Sequence, residues 1–399
     1  MYKHSIKRCA LLLLAGTALQ LSIGDLNASF LAYPWGLILA VNYLYVLVML
    51  YTFSDKWKWV KTLYDRRACI SSLASLLVLT LLFGLIPQDE SAGGLMGLLG
   101  FSRMTSSWIF NLFLVYFMTV IGLMTIDDIW HWKKRNKFAL AFHLSFFIVL
   151  VSGIFGSGDK VRVRVATVVG QPVQGGVTTD GKTLTLPFSI LLKEFTMDEY
   201  PPRLYLWSKD GLSKNFVPIE KQDVEGVLGH WYVKCIELLE SAGRKPEETA
   251  FVSMNHVGAT TAVKVKAVHS TSGKSVEGWV SCGSHIFEGA TLRLPDGCEI
   301  VMPAREPKRY LSLIEVADQD SKKDLEIEVN SPATIGAWKI YQVGYDNERG
   351  RWSTSSVFEC VKDAWYPAVQ IAMWMILAFG VLMFVFGWKN NRKEKEGRK

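Results

Sequence analysis

Two hydropathic patterns divide the chain. Residues 9–24, 30–53, 70–86, 108–126, 138–156 and 366–388 form six apolar runs. A helix that crosses a bilayer needs roughly 17–25 mostly apolar residues, so the runs predict six spans. None of the last five contains Asp, Glu, Lys or Arg. The first follows Lys3, Lys7 and Arg8, a flank it shares with secretory signal peptides. No small-x-small cleavage site follows it, and it reads as an uncleaved helix. Residues 157–364 behave differently. Polar and apolar positions alternate over Val161–Val169, Leu186–Phe195, Leu204–Ser208, Ala262–His269, Ala290–Leu294 and Trp338–Val343. Asp180-Gly181, Asp210-Gly211, Ser272-Gly273 and Asp296-Gly297 supply turns between such runs. Short strands at this spacing predict a β-sandwich or a related all-β fold, in one domain or two.

The expected fold class is therefore an integral membrane α-helical protein of about six spans with an all-β extracytoplasmic domain. Lys and Arg in the connecting segments orient it. Segments 1–8, 54–69, 127–137 and 389–399 hold 18 of them, against Arg103 alone in 25–29 and 87–107. Both termini are then cytoplasmic, and the β domain is on the outer face. The net charge of +7 fits this arrangement. Residues 157–364 carry 25 basic and 28 acidic side chains, so the positive excess lines the cytoplasmic edges. That is where anionic lipid would meet it, and the excess gives no nucleic-acid footprint.

The 399 residues, half of them apolar, exclude a fully soluble chain. They contain no Walker loop, H-E-x-x-H, G-x-S-x-G, C-x-x-C or C-x-x-C-H. Cys235, Cys282, Cys298 and Cys360 lie in the β domain, on the oxidising side. Four cysteines allow three pairings. Cys282 and Cys298 flank an expected hairpin and are the favoured pair, with buried thiols as the alternative. His230, His256, His269 and His285 lack metal-ligand spacing.

His143 stands apart as the only histidine within a span. An ionisable group at that depth is costly without a partner and marks a functional site by default. It lies six residues from Lys137, about 9 Å along a helix. On the helical wheel it shares a face with Ala139, Phe146, Phe147 and Leu150. Ala141, Ser145, Ser152 and Gly156 form a stripe of small residues suited to close helix packing. An aromatic, apolar face around an imidazole suits an iron porphyrin with the histidine as axial ligand. The same residue equally suits a hydrogen bond to a neighbouring helix. With one histidine, a six-coordinate haem would need a second ligand from another chain. His131, in Asp127-Asp128-Ile129-Trp130-His131-Trp132, reads with Tyr33, Trp35, Trp365, Tyr366 and Trp388 as an interfacial anchor.

Three stretches carry a family resemblance. They are Leu186-Pro187-Phe188-Ser189-Ile190 with Phe195-Thr196-Met197-Asp198-Glu199-Tyr200-Pro201, then Ile340-Tyr341-Gln342-Val343-Gly344-Tyr345-Asp346 followed by Val361–Pro367, and Phe142-His143-Leu144-Ser145-Phe146. In order and setting, residues 70–388 resemble the ResB/CcsB family of system II cytochrome c biogenesis proteins. Asp363-Ala364 departs from the Asp-Pro-Gly type often found in that family. The resemblance implies a three-span core (70–156), a β-rich outer domain (157–364) and a last span with a basic tail (365–399). Residues 1–69 are then an N-terminal two-span addition. It further implies His143 as an axial ligand of haem b. The implied partners are a separate CcsA/ResC-like membrane protein carrying the tryptophan-rich haem motif, apocytochrome c, and a thiol-reducing protein. The implied location is the bacterial inner membrane. Two rivals remain: a haem-free scaffold that displays the β domain, and a haem b electron-transfer subunit. A transporter is a weaker third, hinted at only by Asn42, Asn111 and Gln370 within the spans.

Overall fold

The computed structural model describes residues 3–89, 93–133, 136–245, 248–318 and 321–396, with side chains between 6 and 386. The side chains of Lys3, His4, Lys134, Arg135, Trp388 and the 389–399 tail lie outside the described residues. Two compact units result. One combines the chain up to Lys160 with the chain from Asp363; the other is Val161–Lys362.

The first unit holds α1 (Lys3–Ile23), α2 (Trp35–Thr52), the short α3 (Lys58–Lys61), α4 (Arg66–Leu85), the short α5 (Gly94–Leu98), α6 (Trp108–Trp130), α7 (Lys137–Phe155) and α8 (Tyr366–Glu396). All but α3 and α5 are long and apolar enough to cross a membrane. The second helix starts later than its apolar run. Pro34 disfavours helical backbone at Tyr33, so Ala28–Leu31 forms a separate short turn, capped by the Asn27 side chain. The opposite deviation occurs in α6, which continues past residue 126 through Asp127 and Asp128. Hydropathy stops at those carboxylates; the helix does not.

α6 is the centre of this unit. About half of it is buried, against less than a quarter of each other long helix. Phe117, Met118, Ile121 and Leu123 pack with Leu47 of α2 and with Phe147 and Phe155 of α7. Ser145 and Ser152 are buried on α7, on the stripe of small residues. A Cβ at Gly122 would come within 2.7 Å of both Leu47 and Phe147. Gly122→Val should therefore cost about 1–3 kcal/mol by overpacking. The thermal midpoint of the detergent-solubilised chain should fall, and an unchanged midpoint would place α6 elsewhere.

In the second unit, β1 (Val161–Val168), β2 (Pro172–Thr178) and β3 (Thr183–Glu199) come first. Next are β4 (Arg203–Ser208), β5 (Gly211–Pro218), β6 (Glu225–Leu228), β7 (Trp231–Gly243), β8 (Val252–Ser253), β9 (Thr260–His269), β10 (Ser275–Ser281), β11 (Leu292–Arg293) and β12 (Glu299–Val301). The last are β13 (Pro307–Ala317), β14 (Lys322–Glu328), β15 (Ala333–Ile335), β16 (Trp338–Tyr345) and β17 (Ser355–Lys362). Period-2 patterning builds these strands: on β1, Val163 and Val165 are fully buried while Arg162 and Arg164 face out.

An eight-stranded sheet runs in the order β14-β13-β3-β2-β1-β17-β16-β15. Its end strands approach one another, β14 near β15 and β16, without a ladder between them. The sheet therefore curls into an open barrel around Phe188, Ile190, Ile314, Ile340 and Phe358. A register shift at Leu313/Ile314, opposite the long β3, gives the sheet its local bend. Strands β4–β12 are inserted between β3 and β13. They form the sheets β10-β9-β7-β6, with β8 on β7, and β11-β12-β4-β5. These face one another across Leu204, Val217, Trp231, Val265 and Ile300. The expected sandwich thus describes the insert, while the surrounding strands curl into an open barrel. The four turn dipeptides all sit in hairpins, with Gly181, Gly211, Gly273 and Gly297 at φ of 67–99°.

Candidate functional site

Asn136 caps α7 by accepting a hydrogen bond from the Phe138 N–H. Two turns on, the helix presents His143 to the last turn of α6. The His143 Nδ1 donates to Asp128 Oδ2 at 2.8 Å. Both side chains are largely enclosed, at 21% and 11% exposure. The small-residue stripe of α7 points to a packing seam on a different face from His143, yet the His143 face packs against α6 as well. The added turn of α6 brings a carboxylate to the histidine, and Phe147 from the same wheel face is buried against Gly122. A carboxylate in apolar surroundings is costly unless paired. The contact gives His143 a partner, and His143 is one of the partners of Asp128.

This geometry has a chemical consequence. A carboxylate on Nδ1 holds the ring's orientation and leaves Nε2 as the nitrogen that can face a ligand, the usual support of a metal-ligating histidine. Among the described residues, Nε2 makes no hydrogen bond. The aromatic surroundings are Phe142, whose ring lies edge-on at 6.2 Å, and Phe146, packed edge-on to Phe117. His143 thus has the features of an axial ligand: an oriented ring, a free nitrogen and apolar neighbours. Asp128 escapes a search for charge-free spans; its signal is its spacing of fifteen residues across a short helix–helix connection.

The neighbouring Asp127 ties α6 to α2 and meets the residue that caps its own helix. Tyr51 on α2 donates to its Oδ1 at 2.9 Å, and His131 Nδ1 lies 3.2 Å away. His131, Trp130 and Trp132 are exposed, as interfacial anchors would be. Tyr43 and Thr119 add a second tie between α2 and α6 at 2.9 Å.

The histidines of the β unit do not converge. The His269 ring packs edge-on to Trp231 and its Nδ1 accepts from the Thr271 and Ser272 amides of its own turn. Among the described residues, no group of three or more His, Cys, Asp or Glu side chains could hold a metal ion. All six cysteines are free. The favoured Cys282–Cys298 pairing does not form: the Cys282 thiol lies 3.5 Å from Thr260 Oγ1, and that of Cys298 is turned to Asp296. Cys235 and Cys360 are buried thiols of the two cores, and burial pushes Cys360 up to about 12.

The two outer-domain motifs meet in space. Phe195 stacks on Tyr345 with ring centres 5.4 Å apart. Beside them is a cleft of about 180 Å³ lined by Glu199, Thr261, Arg305, Tyr345, Arg351 and Trp352, among others. Arg305 Nη1 donates to Glu240 Oε2 at 2.7 Å, and its Nε donates to the Tyr200 carbonyl at 2.8 Å. It thereby joins the end of β3, which belongs to the barrel, to β7 of the insert. Arg351 Nη2 reaches the carbonyls of Glu240 and Ala259. Nothing in the sequence singled out Arg305 or Arg351. Burial raises the Glu199 carboxyl above its ordinary value of 4.5, against the pull of Arg305 and Arg351. A carboxyl raised in the folded state contributes stability at low pH that is lost as pH rises through the raised value. Glu199→Gln should then gain stability relative to the native chain from pH 4.5 up to neutrality, read by denaturant titration at each pH. A constant difference would mean that Glu199 does not titrate in this range.

The fold and the site together define a class: six long apolar helices, a β unit inserted before the last of them, and a histidine–carboxylate pair joining two helices. No family model matches the chain, and no curated protein is significantly similar to it.

Proposed function

We propose that the chain is a membrane subunit of a system II cytochrome c synthase. In this reading the six helices span a bacterial inner membrane, both termini are cytoplasmic, and the barrel and its insert face outward. His143 is an axial ligand of haem b, and Asp128 orients it. The partner is a CcsA/ResC-like membrane protein that supplies further haem ligands, and apocytochrome c receives the haem. Covalent attachment adds each cysteine S–H of the C-x-x-C-H motif across a haem vinyl C=C, so the bonds balance without a further reactant. A thiol-reducing protein keeps those cysteines available. No acid, base or nucleophile of this chain takes part. Its contribution is to hold and orient haem, a proximity effect shared with the partner.

One observation carries the reading: the histidine of the family-like Phe142–Phe146 segment has a carboxylate on Nδ1 and a free Nε2. The ordered outer-domain motifs support it, because the Phe195 and Tyr345 segments come together. The test is complementation. The chain and a CcsA-like partner, expressed in a host stripped of its own maturation system, should yield covalent c-type cytochrome detectable by haem staining. The partner alone should yield none. Equal staining with and without this chain would contradict the role.

The same contact also favours a second reading. A histidine satisfied by Asp128 can serve simply to join α6 to α7 in a haem-free scaffold. His143→Gln, which keeps a donor but supplies a poor ligand, separates the two. It should abolish maturation in the first reading and spare it in the second.

A further inference from the structure

Asn42 and Asn111 are far apart in sequence, on α2 and α6, yet they line one cavity. Its volume is about 850 Å³, within the range of small-molecule sites. Aliphatic and aromatic side chains dominate the walls, and none of the lining residues is Asp, Glu, Lys, Arg or His. On α6 the cavity runs from Trp108 to Met118, eleven residues and ten helical steps. That is about 15 Å of helix, half the hydrocarbon thickness of a bilayer.

The two amides give this space a polarity. Asn111 Nδ2 donates to the Thr105 and Ser107 carbonyls, both at 2.9 Å, which uses both of its hydrogens. Asn42 Nδ2 donates to the Ile38 carbonyl at 2.8 Å and keeps one hydrogen. Among the described residues, neither Oδ1 accepts a hydrogen bond. Unpaired amide oxygens are costly in hydrocarbon. Lipid tails alone would fill the volume and leave both oxygens bare.

We propose that this cavity binds an uncharged lipid whose head carries a hydroxyl donor, with its hydrocarbon along the α2–α6 wall. Each Oδ1 accepts from the head, and the remaining Asn42 N–H serves a carbonyl or ether oxygen. The absence of charge in the walls excludes a phosphate head. The inference rests on the membrane reading above but not on haem. Two sources share the required chemistry: a diacylglycerol and an isoprenoid quinol.

The experiment uses the full chain in phosphatidylcholine nanodiscs. Two probes, 1,2-dioctanoylglycerol and decylubiquinol, are titrated separately, and the bound probe is counted by native mass spectrometry. At least one should bind saturably with a stoichiometry near one, and the one that binds identifies the source. Gly153→Leu fills the cavity without a clash, since a Cβ there meets nothing within 4 Å. It should abolish binding. Asn42→Leu should weaken binding about tenfold, the effect of losing one hydrogen bond to the bound head. Gln370→Leu, outside the cavity, should leave binding unchanged. Failure of both probes to bind the inserted native chain overturns the site, as does undiminished binding in Gly153→Leu and Asn42→Leu. A chain that does not insert into the nanodisc overturns the membrane reading and this inference together.

Discussion

His143→Ala should leave the complex with the CcsA-like partner assembled but without its membrane haem, and cytochrome c maturation should fall below detection. The cause is loss of the only histidine within the six apolar runs. Added imidazole should restore maturation in part, because a free ligand can occupy the space left by the ring. Asp128→Asn is the finer probe. The amide keeps the size of the carboxylate but donates less electron density through Nδ1. Loss of such an outer-shell partner costs about 10–100-fold in affinity. Haem affinity should fall by that factor, and the reduction potential of the remaining haem should rise, because a less basic imidazole stabilises the oxidised iron less. A purely structural tie between α6 and α7 would lower the thermal midpoint without moving the potential. Spectroelectrochemistry on Asp128→Asn separates the two roles.

The largest effect in the outer unit should come from Arg305→Met. The guanidinium is only 10% exposed and lies 3.5 Å from Glu199 Oε2. It also donates to Glu240, Thr261 and the Tyr200 carbonyl. Removing it leaves Glu199 with Arg351 at 3.9 Å as its nearest remaining cation. An enclosed charge that loses its nearer partner, together with the broken hydrogen bonds of Arg305, costs up to about 3 kcal/mol. The substitution also unties the insert from the barrel, so the insert should unfold before the barrel does. Arg305→Lys should recover only part of the loss, because an ammonium cannot reproduce the forked contacts. Denaturant unfolding followed by tryptophan fluorescence checks this. A change below about 0.5 kcal/mol would make Arg305 an ordinary surface residue.

Much of the fold is legible in the residues. The apolar runs place all six long helices, and Asp-Gly and Ser-Gly dipeptides place four hairpins, because both signals are local. The curling of the eight-stranded sheet is not legible. It depends on β14 meeting β15 and β16, a contact that no local pattern encodes. Strands such as β12 and β15, three residues each, are too short to show a period. At the site, His143 is legible because a lone ionisable residue in an apolar run is conspicuous. Asp128 is hidden at the end of a run, where a charge ordinarily marks the water boundary. Only the extra turn of α6 makes it a partner. Arg305 is hidden for a different reason: an arginine in a loop between strands resembles any solvated cation until the chain folds over it.

The central claim is that His143 holds haem, and an absorption spectrum tests it most directly. The native chain and its His143→Ala variant are each purified with the CcsA-like partner, and spectra are recorded in oxidised and reduced states. A Soret band in the native complex that is lost or shifted in the variant is the predicted result. An identical Soret band in both, or none in the native complex, would contradict it.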